Sequence, residues 1–228
     1  MHNDFTRGYS TSTMTLPFFV NKLGHDLLGL QIGVAEGVCT SNLLQCCPTI
    51  KKMDLVDSYE PYEDYIGFSN VKNNQQFRES VVKSTEVKKI NYDSIPLTKI
   101  VQEECDELYD IALENLLYSG YLDSVEFFRM DSEKFLQTVE NNTYDFIFLD
   151  AHLTYEQVYR DMVNWTPKLK TGGLLAIHDY FHVETYHAVH AYRTDFNIED
   201  KLYRFHNDGV VWFKGLKNGL AEVKPNWI

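Results

Sequence analysis

Four side chains that can move protons follow two apolar runs in the second half of the chain. Asp150 and His152 come after one run, and His178 and Asp179 come directly after the next. If both runs are parallel strands of one sheet, their carboxyl ends share an edge, and the four side chains lie at the opening of one crevice. A histidine with a pKa near about 6.5 is a competent base at neutral pH. The pattern therefore predicts acid–base chemistry at this edge.

Each of these residues also has another interpretation. Asp150 could bind a cofactor or cap the following helix, and His178 could be the base. Asp179 could orient the ring of either His152 or His178, as a carboxylate does in other acid–base sites. Three further histidines lie among aromatic residues with helical spacing, which favours packing or surface roles for His182, His187 and His190.

A strand and a glycine-punctuated turn near the start of the chain are expected to border the same crevice. The apolar run 27–32 is bounded by glycine and predicts a strand buried in a parallel sheet. Gly33 and Gly37 let the backbone turn tightly and approach a ligand, since neither carries a Cβ. Thr40 then falls in the first turn of a helix running to about Cys47, whose free N–H groups attract polar or anionic ligand atoms. An ordinary strand-to-helix turn is the alternative.

The glycine spacing excludes two common nucleotide motifs. Gly29, Gly33 and Gly37 recur at intervals of four residues, with no lysine among them. A dinucleotide fingerprint needs GxGxxG, and a phosphate-binding loop needs GxxxxGK. A nicotinamide-dependent oxidoreductase is therefore disfavoured.

Asp57 lies near the end of the second predicted strand, residues 53–59. In a right-handed β-α-β unit this strand lies beside the first, so Asp57 faces the same crevice as the glycine turn. A carboxylate there can accept hydrogen bonds from both ribose hydroxyls of a cofactor. A helix N-cap is the alternative role. With Ser58 beside it, we favour ribose binding.

Strands and helices alternate through the rest of the chain, which predicts a doubly wound, mostly parallel α/β sheet. Two strand-like runs near the end, joined by Asn207, Asp208 and Gly209, predict an antiparallel hairpin. A short helix is expected within residues 14–23. The later predicted elements are strands at 125–130, 145–150, 174–177, 201–206 and 210–215, and helices at 132–139 and 155–165.

The connection between the second and third strands is too long for a simple crossover. It contains 67 residues between Asp57 and Val125, whereas one helix suffices to join parallel strands. Apolar spacing around residues 111–117 predicts a helix that ends near Gly120. We interpret residues 60–100 as a cap-like insertion in a single domain covering residues 1–228. A lid over the substrate, an oligomer contact and a solvated loop are all compatible with it.

Composition limits the partners and the compartment. A net charge of −12 argues against nucleic acid and against an anionic membrane surface, since both attract clustered Lys and Arg. The four cysteines form no CxxC pair, which is typical of reduced thiols in a cytoplasmic protein. Cys46 and Cys47 are expected to pack at a helix end. The sequence shows neither a targeting signal nor a membrane-spanning run.

Four segments together resemble a known family. They are QIGVAEG followed by Thr40, LVDSY at 55–59, DFIFLDAHLTYEQV at 145–158 and GGLLAIHDY at 172–180. They are similar to class I S-adenosylmethionine-dependent methyltransferases, and most similar to the O-methyltransferase branch with DGxH and HDY-type motifs, which includes sugar and catechol O-methyltransferases. The resemblance covers residues 27–192 apart from the long middle segment. One departure is Gln31, where the family usually has an acidic residue.

The resemblance implies roles for individual residues. Asp150, His178 and Asp179 would hold a divalent cation, and His152 would be the base, with Asp179 taking part in catalysis. Relatives that bind Mg²⁺ carry oxygen ligands where this chain has His178, which leaves room for Mn²⁺ or for no metal. Asp131 would contact the adenine, or cap a helix, or do both. The implied S-adenosylmethionine contacts are Gln31, Gly33, Val34, Gly37, Thr40, Asp57, Ser58, Asp131, Ser132 and Asp150.

The resulting hypothesis is methyl transfer from S-adenosylmethionine to a hydroxyl oxygen of a small-molecule or glycan acceptor, with or without a metal. Methylation of nitrogen or carbon stays open, because the fold does not fix the acceptor. The alternative is a non-catalytic S-adenosylmethionine-binding or scaffold protein whose site has degenerated at Gln31. A homo-oligomer is compatible with either.

Overall fold

The computed structural model describes residues 15–65, 97–151, 153–205 and 209–225. Two compact units divide the chain: residues 1–58 together with 112–228, and Tyr59–Ile111. Most of the predicted cap-like insertion, residues 66–96, lies outside the described residues, so its role stays a prediction. Within the described ranges, no helix is long and apolar enough to cross a membrane.

The larger unit is built on a seven-stranded sheet with the order β5-β2-β1-β6-β7-β9-β8. Neighbouring strands from β5 to β7 are parallel, whereas β9 runs antiparallel to both β7 and β8. This topology confirms the predicted fold class, including the antiparallel hairpin at the end. The smaller unit contains the antiparallel pair β3 and β4. The strands are β1 (Leu27–Ile32), β2 (Ile50–Asp57), β3 (Tyr62–Tyr65), β4 (Leu97–Ile100), β5 (Val125–Arg129), β6 (Tyr144–Leu149), β7 (Leu169–Ile177), β8 (Tyr203–Phe205) and β9 (Gly209–Phe213).

The helices follow the strands as the sequence predicts. Thr15 caps the first helix, since its Oγ1 accepts a hydrogen bond from the backbone N–H of Phe18 at 3.3 Å. Pro17 stands in the first turn, where its missing N–H has no intrahelical partner to lose. The helices are α1 (Leu16–Val20), α2 (Val38–Cys46), α3 (Gln102–Tyr118), α4 (Ser132–Leu136), α5 (Tyr155–Trp165) and α6 (Val183–Asp195).

The core forms where helices cover the central strands. Leu30, Ile147 and Leu175 are fully buried on neighbouring strands, and the apolar face of α5 packs over them with Met162 and Trp165. Burial on both faces explains why these strands read as continuous apolar runs, as parallel strands do. The same packing fixes the strand ends at which the polar side chains lie.

Several sequence-based expectations need correction. The strands expected at 53–59, 201–206 and 210–215 span 50–57, 203–205 and 209–213. The strand β7 begins at Leu169, not at residue 174, so Gly173 lies inside it. A side chain at this position would be too close to β6, since a Cβ there would stand 2.7 Å from the carbonyl oxygen of Asp145. The helix α4 ends at Leu136, earlier than expected. Cys47 is buried as predicted, whereas Cys46 is exposed because it lies on the solvent side of α2.

Candidate active site

The carboxyl ends of the parallel strands bring the predicted site residues together. The N–H of Gly33 donates to the carbonyl of Val56 at 2.9 Å, which joins the glycine turn to β2. The N–H of Asp150 donates to Ile32 at 2.9 Å, and that of His178 donates to Leu149 at 3.0 Å. The backbone ladder therefore continues one residue past β1, β6 and β7. It carries the glycine turn, Asp150 and His178 to one edge.

The turn after β1 requires glycine at its first position. Gly33 has a φ of +84°, in the left-handed region, and a Cβ there would lie 2.3 Å from the carbonyl oxygen of Asp150. Any side chain would therefore force the turn away from β6. Gly37 has a φ of +69° and is the N-cap of α2, so it allows the sharp entry into that helix. Both glycines do what the sequence predicts of them, which is to bend the backbone tightly.

Gln31 and Thr40 bond to each other below this turn. The Gln31 side chain is 1% exposed; its Nε2 donates to the carbonyl of Gly33 at 2.8 Å, and its Oε1 accepts from the Thr40 hydroxyl at 2.7 Å. A glutamate could not make the first of these bonds without a proton, because an ionised carboxylate only accepts. Gln31, which stands where the family usually has an acidic residue, therefore holds the turn with an uncharged side chain. Direct contact of either residue with a cofactor remains a prediction.

Asp57 holds the same turn from the β2 side. Its Oδ2 accepts hydrogen bonds from the backbone N–H groups of Val34 at 2.8 Å and Ala35 at 3.2 Å. The carboxylate thus accepts two hydrogen bonds from the glycine turn. Ser58 follows it and is half-buried. Asp57 is therefore fixed at the carboxyl end of β2, beside the glycine turn, and its contact with a ribose stays a prediction.

Asp131 has the capping role that was its alternative interpretation. Its Oδ1 accepts from the N–H groups of Glu133 at 2.9 Å and Lys134 at 3.2 Å, at the start of α4. Ser132 is the first residue of that helix. An adenine contact for Asp131 and Ser132 stays a prediction, and the cap itself does not prevent one.

Asp150, His178 and Asp179 form one cluster. The Nδ1 of His178 lies 3.0 Å from Oδ1 of Asp150 and 3.3 Å from Oδ1 of Asp179. One possible ligand atom from each residue lies within 4.8 Å of the others. Asp179 has a φ of +51°, an uncommon conformation for a residue with a Cβ. The cluster can either hold a cation or keep an imidazolium between two carboxylates. His152, the predicted base, lies outside the described residues.

The chemistry of the cluster fits a cation that accepts both oxygen and nitrogen. Two carboxylates and one imidazole suit Mn²⁺ better than Mg²⁺, which prefers oxygen ligands alone. The His178 ring would have to be deprotonated to bind it. All three side chains are half-exposed, so an ion could reach them from solvent.

A buried carboxyl that the sequence analysis missed lines the cleft beside the cluster. The cleft is small and partly open to solvent, and it is lined by Asp161 of α5 together with Asp150, His178 and Asp179. Asp161 is 6% exposed, and burial raises its pKa to about 7. Its position three residues after the buried Val158, on the apolar face of α5, is the pattern that could have revealed it.

Three histidines beyond the cluster, His182, His187 and His190, take packing and surface positions. His190 Nε2 lies 2.6 Å from the hydroxyl of Tyr180, and burial lowers the pKa of His190. His187 is exposed on α6. His182 is the residue before that helix. None of the three belongs to the cluster around His178.

Comparison with known proteins identifies the family. The profile described as a methyltransferase domain matches residues 30–180. Three solved structures share the fold. The O-methyltransferase NovP has a TM-score of 0.54 and 19% identity, covering 87% of this chain and 77% of its own. An O-methyltransferase from Bacillus cereus bound to S-adenosylhomocysteine has a TM-score of 0.51 and 14% identity, covering 87% of this chain and 79% of its own. Precorrin 8w decarboxylase from Methanobacterium thermoautotrophicum has a TM-score of 0.52 and 12% identity, covering 86% of each chain.

No curated protein matches the sequence significantly. The match to the family profile nevertheless spans more than half of the chain, from β1 to the residue after Asp179. The chain therefore belongs to the methyltransferase-domain family and is a class I methyltransferase that depends on S-adenosylmethionine.

Proposed function

We propose that this enzyme transfers the methyl group of S-adenosylmethionine to a hydroxyl oxygen of a small-molecule or glycan acceptor. The observation that carries the proposal is the cluster of Asp150, His178 and Asp179. It lies beside the turn after β1, because the N–H of Asp150 donates to the carbonyl of Ile32. Groups that accept protons or hold a cation are needed for transfer to a hydroxyl, which must lose its proton.

The cofactor would bind across the turn that Asp57 braces. One carboxylate oxygen of Asp57 holds the N–H groups of Val34 and Ala35, so the carboxylate has a fixed direction before any ligand arrives. A carboxylate fixed in this way can accept from the ribose hydroxyls at little entropic expense. Gln31 and Thr40 would act from below, by fixing the shape of the turn.

The transfer itself is an in-line displacement at the methyl carbon. The sulfonium is already a good leaving group, so the protein has to orient the acceptor oxygen, remove its proton and exclude water. His152 would take the proton as the base, and Asp179 would orient the ring of His152 or of His178. A divalent cation held by Asp150, His178 and Asp179 would lower the pKa of the hydroxyl.

Transfer to oxygen is favoured over transfer to other atoms by two lines of support. NovP and the Bacillus cereus structure are described as O-methyltransferases. The sequence motifs at the ends of β6 and β7 resemble the same branch. Precorrin 8w decarboxylase has a similar fold, and so the fold alone does not fix the acceptor.

A binding and turnover experiment tests the proposal. Thermal unfolding is measured with S-adenosylmethionine or S-adenosylhomocysteine, with and without Mn²⁺, because a ligand that binds only the folded state raises the midpoint. We expect both cofactor forms to raise it. Asp57→Asn should weaken cofactor binding by about ten- to a hundredfold, since a charge-assisted acceptor is lost. The matched control is Asp123→Asn, because Asp123 is an exposed carboxylate far from Asp57 in the sequence. This variant should bind the cofactor as tightly as the wild type does.

Turnover separates the enzyme from the scaffold alternative. Release of S-adenosylhomocysteine is followed with a panel of catechol, phenol and sugar acceptors, in the wild type and in His152→Ala. We expect transfer that the variant loses. Cofactor binding with no transfer to any acceptor would favour the non-catalytic protein. The absence of binding by either cofactor form would contradict the proposal at its first step.

A further inference from the structure

Arg204 lies at the same edge of the sheet as the catalytic cluster. In the strand register it is opposite Val210 of β9, and Val210 is opposite Ile177, the residue before His178. Neighbouring strands are about 4.8 Å apart, so the Arg204 backbone lies about 10 Å from the end of β7. Because Tyr203 and Phe205 are buried on one face of β8, the alternation of side chains directs Arg204 to the opposite face.

The guanidinium of Arg204 lies over two aromatic rings that follow the cluster in sequence. Its Cζ is 5.1 Å from the centre of the Tyr180 ring and 4.7 Å from that of Phe181. The Tyr180 hydroxyl is in turn within 2.6 Å of His190 Nε2, so this ring is held from below. A guanidinium has five N–H donors, so those of Arg204 that are not used by the Tyr180 hydroxyl can bind a planar oxyanion.

Arg204 has no carboxylate partner among the residues that the structure describes. All the ion pairs found there involve other cations, although the chain carries a net charge of −12. Burial has the largest effect in lowering the pKa of His190, and Arg193, His187 and Arg204 lower it further. Cations therefore gather around His190, and the carboxylate that acts on one of them, Asp200, acts on Arg193.

Exposed apolar surface lies next to this positive group. Phe181 is 53% exposed, Tyr186 39% and Val183 59%. These side chains sit on the segment that leads from Asp179 into α6. An apolar body could lie on Phe181 while an anionic group on the same molecule reaches Arg204.

We propose that Arg204 and Phe181 bind a carboxylate and the aromatic body that carries it, as the far end of the acceptor. The inference rests on the proposed function, because it takes the hydroxyl end of the acceptor to lie at the cluster of Asp150, His178 and Asp179. The acceptor then has to reach from the cluster to the guanidinium over Tyr180 and Phe181, the two residues that follow Asp179. The substrate class is therefore a hydroxylated aryl acid.

The test compares an acid with its neutral amide. The probes are 3-phenylpropionate and 3-phenylpropionamide, titrated into the ¹⁵N-labelled full-length protein with saturating S-adenosylhomocysteine, while arginine Nε–H resonances are followed by NMR. The Arg204 resonance is assigned as the one that disappears in Arg204→Gln. We expect the acid to shift this resonance and to bind at least about tenfold more tightly than the amide, as loss of a charge-assisted hydrogen bond implies. In Arg204→Gln the two probes should bind equally.

Two further variants make the result specific. Arg160→Gln removes an exposed arginine that pairs with Glu133 on the helices α5 and α4, and it should keep the full preference for the acid. Phe181→Ser should weaken both probes by a similar factor, because it removes the surface for the ring and keeps the cation. Equal affinity of the two probes for the wild type would overturn the proposal, as would an Arg204 resonance that millimolar acid does not shift.

The same samples separate this proposal from the proposed function. Arg204→Gln should bind S-adenosylhomocysteine with the affinity of the wild type, measured by calorimetry, since Arg204 lies two strands away from the end of β7 and further from the turn after β1. Cofactor binding without a preference for the acid would overturn the inference about Arg204 alone. No cofactor binding in the wild type would contradict the methyltransferase reaction instead.

Discussion

Thr40 donates its hydroxyl hydrogen to the side-chain oxygen of Gln31 across 2.7 Å, in a fully buried position beneath the glycine turn after β1. The amide of Gln31 uses its nitrogen to hold the Gly33 carbonyl at 2.8 Å. Both polar ends of one side chain are thus satisfied at once. A neutral amide can be donor and acceptor together, which a carboxylate cannot be.

Gln31→Glu should therefore destabilise the protein, even though it restores the acidic residue usual in the family. The new carboxylate would face the Gly33 carbonyl oxygen without a hydrogen between them. Either this hydrogen bond is lost or the glutamate has to bind a proton. We expect a loss of about 1–3 kcal/mol in the free energy of unfolding at pH 8, measured by urea denaturation. Lowering the pH should recover part of this loss, because a protonated glutamate can donate. Gln45→Glu, on the exposed side of α2, is the matched control and should change stability by less than about 0.5 kcal/mol.

Gly33→Ala should be far more damaging than the same change at another glycine with positive φ. At Gly33 an alanine Cβ would lie 2.3 Å from the Asp150 carbonyl oxygen, whereas at Gly120 (φ +79°) nothing lies within 4 Å. Gly120→Ala therefore measures the conformational penalty alone, about 1–2 kcal/mol. We expect Gly33→Ala to lose more than twice that in urea denaturation and to lose cofactor binding. Equal losses at the two positions would show that the turn can move away from β6.

Gln31 and Gly33 also show which features of the fold and of the candidate site can be predicted from the sequence and which cannot. The handedness of β-α-β units and the apolar runs predict that β1, β2, β6 and β7 are neighbours, so the meeting of Asp57, Asp150 and His178 at one edge follows from topology. The bond between Gln31 and Thr40 does not, because it depends on side-chain torsions. Asp161 was missed for a different reason: its helical spacing from Val158 predicts burial, but a polar residue on an apolar helix face is usually taken as a break in the pattern.

Asp161 should make the stability of the protein depend on pH. Burial raises its pKa from 3.8 to about 7 in the folded state, so the folded protein holds a proton that the unfolded chain has released between those values. Its contribution to stability is then fully present below about pH 4 and is lost as the pH rises to about 7, by up to about 4 kcal/mol. Asp161→Asn cannot ionise, and it should exceed the wild type in stability at pH 8 by a few kcal/mol.

The measurement is urea denaturation of both proteins from pH 4 to pH 8, without cofactor or metal. The difference in unfolding free energy between Asp161→Asn and the wild type should grow across this range and level off above pH 7. Asp123→Asn, at an exposed aspartate, controls for the general effect of removing one negative charge and should show no such growth. A constant difference at every pH would mean that Asp161 stays ionised in the cleft.

The donor set around His178 predicts the order of metal affinities. His178 contributes nitrogen and is flanked by Oδ1 atoms of Asp150 and Asp179 at 3.0 and 3.3 Å. A mixed set of this kind should prefer Mn²⁺ to Mg²⁺ by about tenfold or more, since Mg²⁺ gains little from an imidazole. His178→Asp replaces the nitrogen by oxygen and should narrow or reverse the preference, as measured by isothermal titration with each chloride salt. His187→Asp, on the exposed side of α6, adds the same charge away from the cluster and should leave the wild-type order unchanged. If neither ion binds the wild type, the metal-assisted form of the transfer is contradicted.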